Sequence, residues 1–516
     1  MTTQPSKLDE DLLWQTFSFV TNMGEESDEK FPVLVTLRNS SQVCSTWRNL
    51  ILSTSSWWAR NLNLRLLNQK SNDWRNEVLR RTGEALLHIT GPVRRENVQF
   101  VEAILTEHWA RIQVLRLYAS HSIDLLQYIQ QPAPFLEVFK IPEMYTSRDE
   151  QRLANPQFRL FDNSAPSLQC FYAFTRAFAT FVHAPFLSQL RRLRLWGTDL
   201  TPRQLLDVLG TIRSLEELDG GQIIEGTDDT NFLPLVSLPR LRHISLDGEN
   251  VRVWLAVVSN IVPAQKCVLL ATLLHQDELL QLTDLASTLQ TLSRYSHRQF
   301  ESESATGLSL HLYKRGFKLQ HRHIAPARIP NLLSFCLIAD SALSTHMVST
   351  ILKLLATCNF SVANSLDLKL EQLEGILDLA DPSLGQLLFS LPSVETLMTH
   401  FPTFKLLLDL PATHANVLIS LRKINYQFLE ATPELMAFLH WRKRVGYPIK
   451  VLDVTTYTVY DEQNRDFRIL DTLPGLKVTW KVEEEMMEYL CGSGNPEILN
   501  FPPVVSPNEW LGFESE

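Results

Sequence analysis

The sequence predicts an α/β protein in which a small all-α module at the N-terminus precedes a long series of alternating strands and helices. Three observations lead to this prediction. Apolar residues recur at helical spacing near the N-terminus. A short sequence motif of alternating apolar residues, called a word below, recurs at intervals of 22 to 32 residues. Segments with helix-start signals lie between its copies. With 45% hydrophobic residues in 516, the chain is large enough to bury sizeable cores.

Charge and hydropathy exclude two classes of partner. Lys and Arg total 48 against 57 Asp and Glu, so the net charge of −9 offers no general basic field for nucleic acid. The longest apolar stretch, residues 251–274, falls short of a membrane span because polar residues and a proline interrupt it. The polar, acidic first ten residues lack the positive start and apolar stretch of a secretory signal. We therefore expect a cytoplasmic or nuclear protein that binds neither nucleic acid nor membrane.

A helical module is predicted over residues 8–66, after a flexible N-terminus of residues 1–7. Apolar residues recur there at helical spacing, and acidic residues in the first turn suit the helix dipole. An acidic stretch without periodicity follows, and a second helical segment begins after Pro32. The apolar positions of the first helix are Leu8, Leu12, Leu13, Phe17 and Val20.

Two words within residues 37–64 carry the specific signal: Ser41-Gln-Val-Cys-Ser-Thr-Trp-Arg and Leu52-Ser-Thr-Ser-Ser-Trp-Trp. They closely resemble the second half of an F-box, in which such a helix packs against the turn that follows it. The resemblance implies that the module binds a Skp-family adaptor. The residues expected to bind this adaptor are Leu8, Leu12, Leu13, Phe17, Val43, Trp47, Leu50 and Trp57.

The same apolar residues have a second interpretation, in which they fill the core of the module itself. The two interpretations are compatible. A module of roughly 55 residues cannot bury every large side chain of three short helices, so part of its apolar surface should stay open for a partner.

Residues 67–482 contain the recurring word, a six-residue motif with apolar residues at its first, fourth and sixth positions. The intervals between clear copies suit one strand and one helix per unit, and Thr201 followed by Pro202 marks the start of one such helix. Clear copies begin at Ile112, Leu136, Leu168, Leu190, Leu215 and Leu241. Weaker copies begin at Leu289, Leu332, Ala363, Val394, Leu421 and Ile449.

These units resemble irregular leucine-rich repeats, which implies a solenoid with parallel strands on a concave face and helices on a convex face. Together with the F-box-like start, they resemble the large fungal families of F-box proteins, notably those of mushroom-forming basidiomycetes. An α/β fold with a more conventional sheet is the structural alternative. Residues 483–516 are predicted to be a terminal helix, beginning at Glu483-Glu-Glu-Met-Met-Glu, and a flexible tail from about Cys491.

Side chains that alternate with the buried leucines should face the concave surface, because successive residues of a strand point to opposite sides. This set is rich in Arg, Tyr and Trp, which often dominate binding energies at interfaces. It changes from cationic to acidic along the array, and we expect a ligand with acidic groups near Arg192 and Arg194. A merely solvated face is the alternative for any single residue. The predicted target-binding residues are Arg116, Tyr118, Tyr172, Arg192, Arg194, Trp196 and His243.

Chemical motifs are missing from the sequence. It contains no phosphate-binding loop, no zinc-protease helix, no nucleophile elbow and no dinucleotide fingerprint. The six cysteines are widely spaced, and the basic segment around His321 is interpreted as a solvated loop. We expect no catalytic residue, no metal site and no cofactor.

The resemblance implies the substrate-recognition adaptor subunit of an SCF-type (Skp–cullin–F-box) ubiquitin ligase. The module would bind a Skp-family adaptor and through it a cullin, and the repeats would bind an unknown target protein. One alternative is a leucine-rich-repeat interaction scaffold with a degenerate F-box-like cap, allowed by the absence of the usual proline near Leu8 and by the long acidic loop. A second alternative is an enzyme whose site is assembled from residues distant in sequence.

Overall fold

The computed structural model shows a mixed α/β protein. It describes residues 10–22, 33–69, 71–119, 124–141, 155, 157–174, 181–196, 200–221, 233–248, 251–265, 267–275, 282–300, 306–323, 333–358, 360–373, 375–378, 380–411, 416–426, 430–455, 465–482 and 485–501. The chain forms two compact units, the first comprising Met1–Arg242 and Asn260–Ala264, the second His243–Ser259 and Gln265–Glu516. Each unit contains a mostly parallel sheet, and the described strands form no closed barrel.

Thirteen α-helices lie within the described ranges. They are α1 (Glu10–Asn22), α2 (Val33–Ser40), α3 (Ser45–Ser53), α4 (Ser55–Ala59), α5 (Asp73–Arg81), α6 (Val98–Glu107), α7 (Pro202–Thr211), α8 (Val251–Ser259), α9 (Leu282–Phe300), α10 (Thr345–Ala356), α11 (Ser383–Phe389), α12 (Phe401–Leu408) and α13 (Pro433–Arg444).

The strands of the same ranges are mostly short. They are β1 (Leu62–Asn63), β2 (Leu87–Val93), β3 (Ile112–Ala119), β4 (Val138–Ile141), β5 (Cys170–Phe174), β6 (Arg192–Trp196), β7 (Glu217–Gly220), β8 (Val236–Leu238), β9 (His243–Gly248), β10 (Ile261–Pro263), β11 (Val268–His275), β12 (Thr306–Tyr313), β13 (Gly316–His323), β14 (Leu333–Ala339), β15 (Ala363–Glu371), β16 (Thr396–Thr399), β17 (Lys423–Tyr426), β18 (Val451–Asp453), β19 (Arg465–Asp466), β20 (Lys477–Val482), β21 (Glu485–Leu490) and β22 (Asn500–Phe501).

The first unit begins with the four helices α1–α4, hereafter the N-terminal helices. Their core contains Leu13, Leu37, Ile51 and Trp58, all at most 5% exposed. The Trp58 indole Nε1 donates a hydrogen bond of 2.9 Å to the carbonyl oxygen of Ile51, so the large ring is buried with its polar atom satisfied. The predicted helices after Leu8 and after Pro32 are confirmed as α1 and α2.

The sheet of the first unit consists of β1–β7, each strand parallel to the next. The fourth residues of the clear words stand in register across β3–β7, and all are buried. The predicted strands at these words are therefore confirmed, and the same position of each word stands at the same level of the sheet. The residues in register are Leu115, Phe139, Phe171, Leu193 and Leu218.

The connections of this sheet are more irregular than one helix per unit. Between β3 and β6, the described connections contain 3₁₀ turns, at Leu125–Gln127, Leu160–Asn163 and Pro185–Gln189, and no α-helix. The helix predicted at Thr201 is confirmed as α7. The Thr201 hydroxyl accepts a hydrogen bond from the Gln204 backbone N–H, and the Gln204 side chain accepts one from the Thr201 backbone.

The second unit has a sheet with the order β9, β11, β14, β13, β12, β15, β16, β17, β18, β20, β21. Strand β13 is antiparallel to both of its neighbours, β12 and β14, and β21 is antiparallel to β20; the other pairs are parallel. A side chain at Gly316 would meet the carbonyl oxygen of Leu337, so glycine permits the close approach of β13 to β14. The hairpin was not predicted.

Four expectations for the second unit are wrong, and the first two concern the segments around Leu289 and His321. The word at Leu289 lies in α9, where the buried residues Leu285, Leu289 and Leu292 follow helical spacing. The predicted loop around His321 is part of strand β13, and His321 is fully buried. In both segments the local sequence is compatible with either of two conformations, strand or helix at Leu289 and loop or strand at His321. Packing against the rest of the unit selected one of them.

The predicted terminal helix is also wrong, because residues 485–490 form β21 on the edge of β20, with Met487 opposite Trp480. This pairing satisfies backbone groups of β20 and outweighs the helical preference of Glu and Met. The following residues 491–501 are described too, and β22 pairs with β19. They differ from the flexible tail predicted from Cys491, which is buried.

Candidate functional site

The N-terminal helices place the predicted adaptor-binding residues in two groups. Leu13, Phe17, Leu50 and Trp57 are buried. Leu12 and Val43 are 51% and 63% exposed, and Trp47 is half-buried. Leu8 lies outside the described residues. Within this part of the chain, only some of the predicted residues are therefore accessible to a partner.

The buried group holds α1 against α3 and α4. The Phe17 ring contacts Trp47 edge-on, with 5.1 Å between ring centroids, and lies 5.8 Å from the Trp57 ring. The Trp57 Nε1 donates a hydrogen bond of 3.2 Å to the Ser18 hydroxyl. Such aromatic pairs contribute beyond simple area burial, so these side chains fix the arrangement of the helices.

Several large apolar side chains of the N-terminal helices remain exposed. Leu12 and Phe19 are seven positions apart on α1 and therefore share one face, about 20° apart around the helix. This face is turned about 130° away from the buried face of Leu13 and Phe17. Sequence analysis missed Phe19, although counting two turns on from Leu12 finds it. The exposed residues are Leu12 (51%), Trp14 (49%), Phe19 (68%), Val35 (42%), Val43 (63%) and Leu52 (39%).

The second candidate surface is the polar face of β3–β7. Because these strands are parallel and in register, the residues that alternate with the buried apolar ones form rows across the sheet. The first row contains Arg116, Lys140, Tyr172, Arg194 and Asp219. The second row contains Cys170, Arg192 and Glu217.

These two rows line a groove of about 380 Å³, which we call the strand-face groove. Four cations and two carboxylates line it, a local positive excess in a chain whose net charge is −9. Both carboxylates are on β7, at one end. Four of the predicted target-binding residues, Arg116, Tyr172, Arg192 and Arg194, belong to this lining.

Tyr172 and Arg194 form the fixed part of the groove. The Arg194 guanidinium carbon lies 4.8 Å from the centre of the Tyr172 ring, and Arg194 forms an ion pair with Asp219. The Lys140 ammonium lies 5.6 Å from the same ring. Burial raises the pKa of the Tyr172 hydroxyl above its ordinary value, although the Arg194 charge opposes this shift. Tyr172 is therefore a neutral hydroxyl at physiological pH.

Arg116 and Arg192 differ from Arg194 because they form no ion pair with any residue that the structure describes. Arg192 is exposed, and Arg116 is half-buried. Cys170 lies beside Arg192 in the register, and burial raises the pKa of its thiol despite the two nearby arginines. The groove thus offers two available guanidinium groups and no reactive thiolate.

The remaining predicted target-binding residues lie outside the lining. Tyr118 is 42% exposed on β3, two residues beyond Arg116 and therefore on the same face. The indole of Trp196 lies against Gly221, where an added side chain would clash with it. His243 is half-buried and belongs to the second unit. The structure brings the three arginines and Tyr172 together in the lining of the groove, which does not include these three residues.

The second unit contains a buried polar cluster that sequence analysis missed. His311 Nε2 lies 3.0 Å from Asp367 Oδ2 and 3.1 Å from the Ser309 hydroxyl, while His311 Nδ1 lies 3.1 Å from the Tyr313 hydroxyl. A nucleophile–base–acid relay would place the hydroxyl and the carboxylate on different ring nitrogens. Here they share one nitrogen, so the cluster joins β12 to β15 and does not activate Ser309.

The described residues contain no group of three His, Cys, Asp or Glu side chains placed to hold a metal ion. In the same part of the chain, no helix is both long and apolar enough to cross a bilayer.

Comparison with known proteins adds no relative to these observations. No protein-family model matches the sequence, and no curated protein matches it either. The function must therefore be inferred from the two surfaces described above, the apolar face of the N-terminal helices and the strand-face groove.

Proposed function

We propose that this chain is a substrate-recognition adaptor subunit of an SCF-type ubiquitin ligase. In this proposal the N-terminal helices are an F-box-like module that binds a Skp-family adaptor and through it a cullin. The strand array is an irregular leucine-rich-repeat solenoid whose polar face binds a target protein. The chain itself carries out no catalysis: it holds the target close to a ubiquitin-conjugating enzyme, which raises the effective concentration of the reacting groups. It acts in the cytoplasm or the nucleus.

The observation that carries the proposal is the exposed apolar face of α1. Leu12 and Phe19 share a face of the helix that is turned away from its buried residues, and Phe19 is 68% exposed. Large apolar side chains exposed on one element mark interaction sites more often than isolated ones do. The F-box-like words lie in the same group of N-terminal helices, at residues 41–48 and 52–58. The exposed face of α1 and the resemblance therefore both favour a Skp-family adaptor as the partner.

A second candidate function follows from the buried residues. Leu13, Phe17, Leu50 and Trp57 fill the core of the N-terminal helices, as they would in a cap that only covers the end of the strand array. The chain would then be an interaction scaffold that takes no part in ubiquitination. The two functions differ in whether a Skp-family adaptor binds.

Co-purification with a fungal Skp-family adaptor tests the proposal. We expect the wild-type chain to capture the adaptor and the double variant Leu12→Ser, Phe19→Ser to lose it, because each change removes exposed apolar area without opening a core. Phe135→Ser is the matched control, since Phe135 is 50% exposed in the first unit outside these helices. It should capture the adaptor as the wild type does.

Circular dichroism of each purified chain separates loss of binding from loss of folding. Folded wild-type protein that captures no adaptor would refute the proposal and favour the scaffold. Equal capture by the double variant and the wild type would refute the assignment of the α1 face.

A further inference from the structure

We propose that the strand-face groove binds an extended acidic segment of a partner protein, in which two carboxylates four residues apart pair with Arg116 and Arg192. This inference rests on the proposed function in treating the groove as the target-binding surface. It adds the chemical class of the target segment and the spacing of its charges.

The first step of the argument is which charges are available. Arg194 is held by Asp219 and by the Tyr172 ring. Arg116 and Arg192 have no ionic partner among the described residues, and both line the groove. An arginine at such a site forms short, charge-assisted hydrogen bonds with a carboxylate, often two at once. The groove therefore favours an anionic ligand that meets these two arginines.

The second step is the distance between them. Arg116 is on β3 and Arg192 is on β6, so three steps of about 4.8 Å, or roughly 14 Å, separate their strands. Arg192 also lies in the neighbouring row, which brings the separation of the two Cα atoms to about 16 Å. Lys140 and Tyr172 stand on the strands between them. The ligand must therefore carry two anionic groups on an extended backbone.

The third step converts this distance into a sequence. An extended peptide rises about 3.3 Å per residue, and residues an even number apart face the same side. A spacing of two residues spans only about 7 Å and a spacing of six about 20 Å, whereas four residues span about 13 Å. Arginine side chains are long enough to cover the remaining difference. Glu217 and Asp219 at the β7 end repel a third acidic residue beyond the one at Arg192.

Binding of fluorescein-labelled peptides to the full-length chain, followed by fluorescence anisotropy at low ionic strength, tests this proposal. The probe is a nine-residue Gly/Ser peptide with two glutamates four positions apart. Its matched control has the same composition with the glutamates adjacent. We expect the spaced peptide to bind at least about fivefold more tightly, because the isomer can meet only one arginine. Its affinity should fall as salt is added.

Variants of the chain locate the binding. Arg116→Gln and Arg192→Gln should each weaken the spaced peptide about fivefold. Arg191→Gln, which removes the same charge one residue away and outside the lining, should bind it as the wild type does. No binding of the spaced peptide by folded protein, equal affinity for the two isomers, or unchanged affinity in both groove variants would overturn the proposal. The assay contains no adaptor, so its failure is distinct from a failure of adaptor capture.

Discussion

At the scale of single residues, the most unusual side chain of the second unit is the fully buried Arg442 on α13. Its guanidinium donates hydrogen bonds to three backbone carbonyl oxygens, those of Tyr447 (3.1 Å), Val417 (3.0 Å) and Leu418 (3.0 Å). Burial lowers the pKa of Arg442 to about 10, which still leaves it charged at neutral pH. The charge is thus compensated by oriented carbonyl dipoles, and it ties α13 to the segment around Val417.

Replacement of this arginine should destabilise the second unit. Arg442→Met keeps most of the side-chain length but leaves the three carbonyl groups without these donors, at a cost of about 3 kcal/mol. The measurement is the urea midpoint of unfolding, followed by tryptophan fluorescence. Arg444→Met is the control, because Arg444 is an exposed residue of the same helix. Similar midpoints for the two variants would contradict a structural role of Arg442.

At the scale of elements, the cluster of Ser309, His311 and Asp367 joins the inserted hairpin to β15. Burial raises the pKa of Asp367, but the hydrogen bond and charge of His311 outweigh it, so the pKa lies below the ordinary value of 3.8. The folded state therefore favours the ionised carboxylate more than the unfolded state does. Asp367 contributes stability at pH values above 3.8, and this contribution is lost as the pH falls through the lower pKa of the folded state.

Removal of this charge should both weaken the fold and change its response to acid. Asp367→Asn is expected to lower the free energy of unfolding by about 1–2 kcal/mol at pH 7 and to lose less stability than the wild type below pH 3.8. Urea unfolding at a series of pH values measures both effects. The exposed Asp340 supplies the control, since Asp340→Asn should leave the curve unchanged. An Asp367→Asn curve parallel to the wild type at all pH values would show that the ion pair does not contribute.

At the scale of the whole molecule, the chain separates its two proposed binding chemistries. The N-terminal helices expose apolar side chains such as Phe19, whereas the strand-face groove is lined by arginine and tyrosine. Apolar docking depends on buried area and little on salt, while binding of an acidic segment depends on charge and is screened by salt. The net charge of −9 keeps other acidic surfaces away from the chain outside the groove.

This separation predicts independent binding. The double variant Leu12→Ser, Phe19→Ser should bind the spaced acidic peptide with wild-type affinity, and Arg116→Gln should capture the adaptor as the wild type does. Peptide anisotropy and adaptor co-purification on the same protein preparations measure the two. Loss of both activities in either folded variant would show that one surface serves both partners.

The sequence by itself determined the local periodicities of this protein. The spacing of the apolar words predicted the strands β3–β7 and aligned Leu115, Phe139, Phe171, Leu193 and Leu218, because an alternating strand has only one side that can be buried. The signals at Thr201 and Pro202 predicted α7 for the same local reason. Alternation also placed the three arginines and Tyr172 on one face.

Tertiary structure alone decided which partner each group meets. It made a helix of the word at Leu289 and a strand of residues 485–490, and it divided the predicted adaptor-binding residues into buried Leu13 and exposed Leu12. It also paired Arg194 with Asp219 and left Arg116 and Arg192 without an ion pair to any described residue. The strand at residues 485–490 depends on a hairpin with the strand just before it, whereas the pairing of Arg194 with Asp219 joins residues 25 positions apart. A short pattern records how a segment repeats, but not which surface the folded chain brings against it.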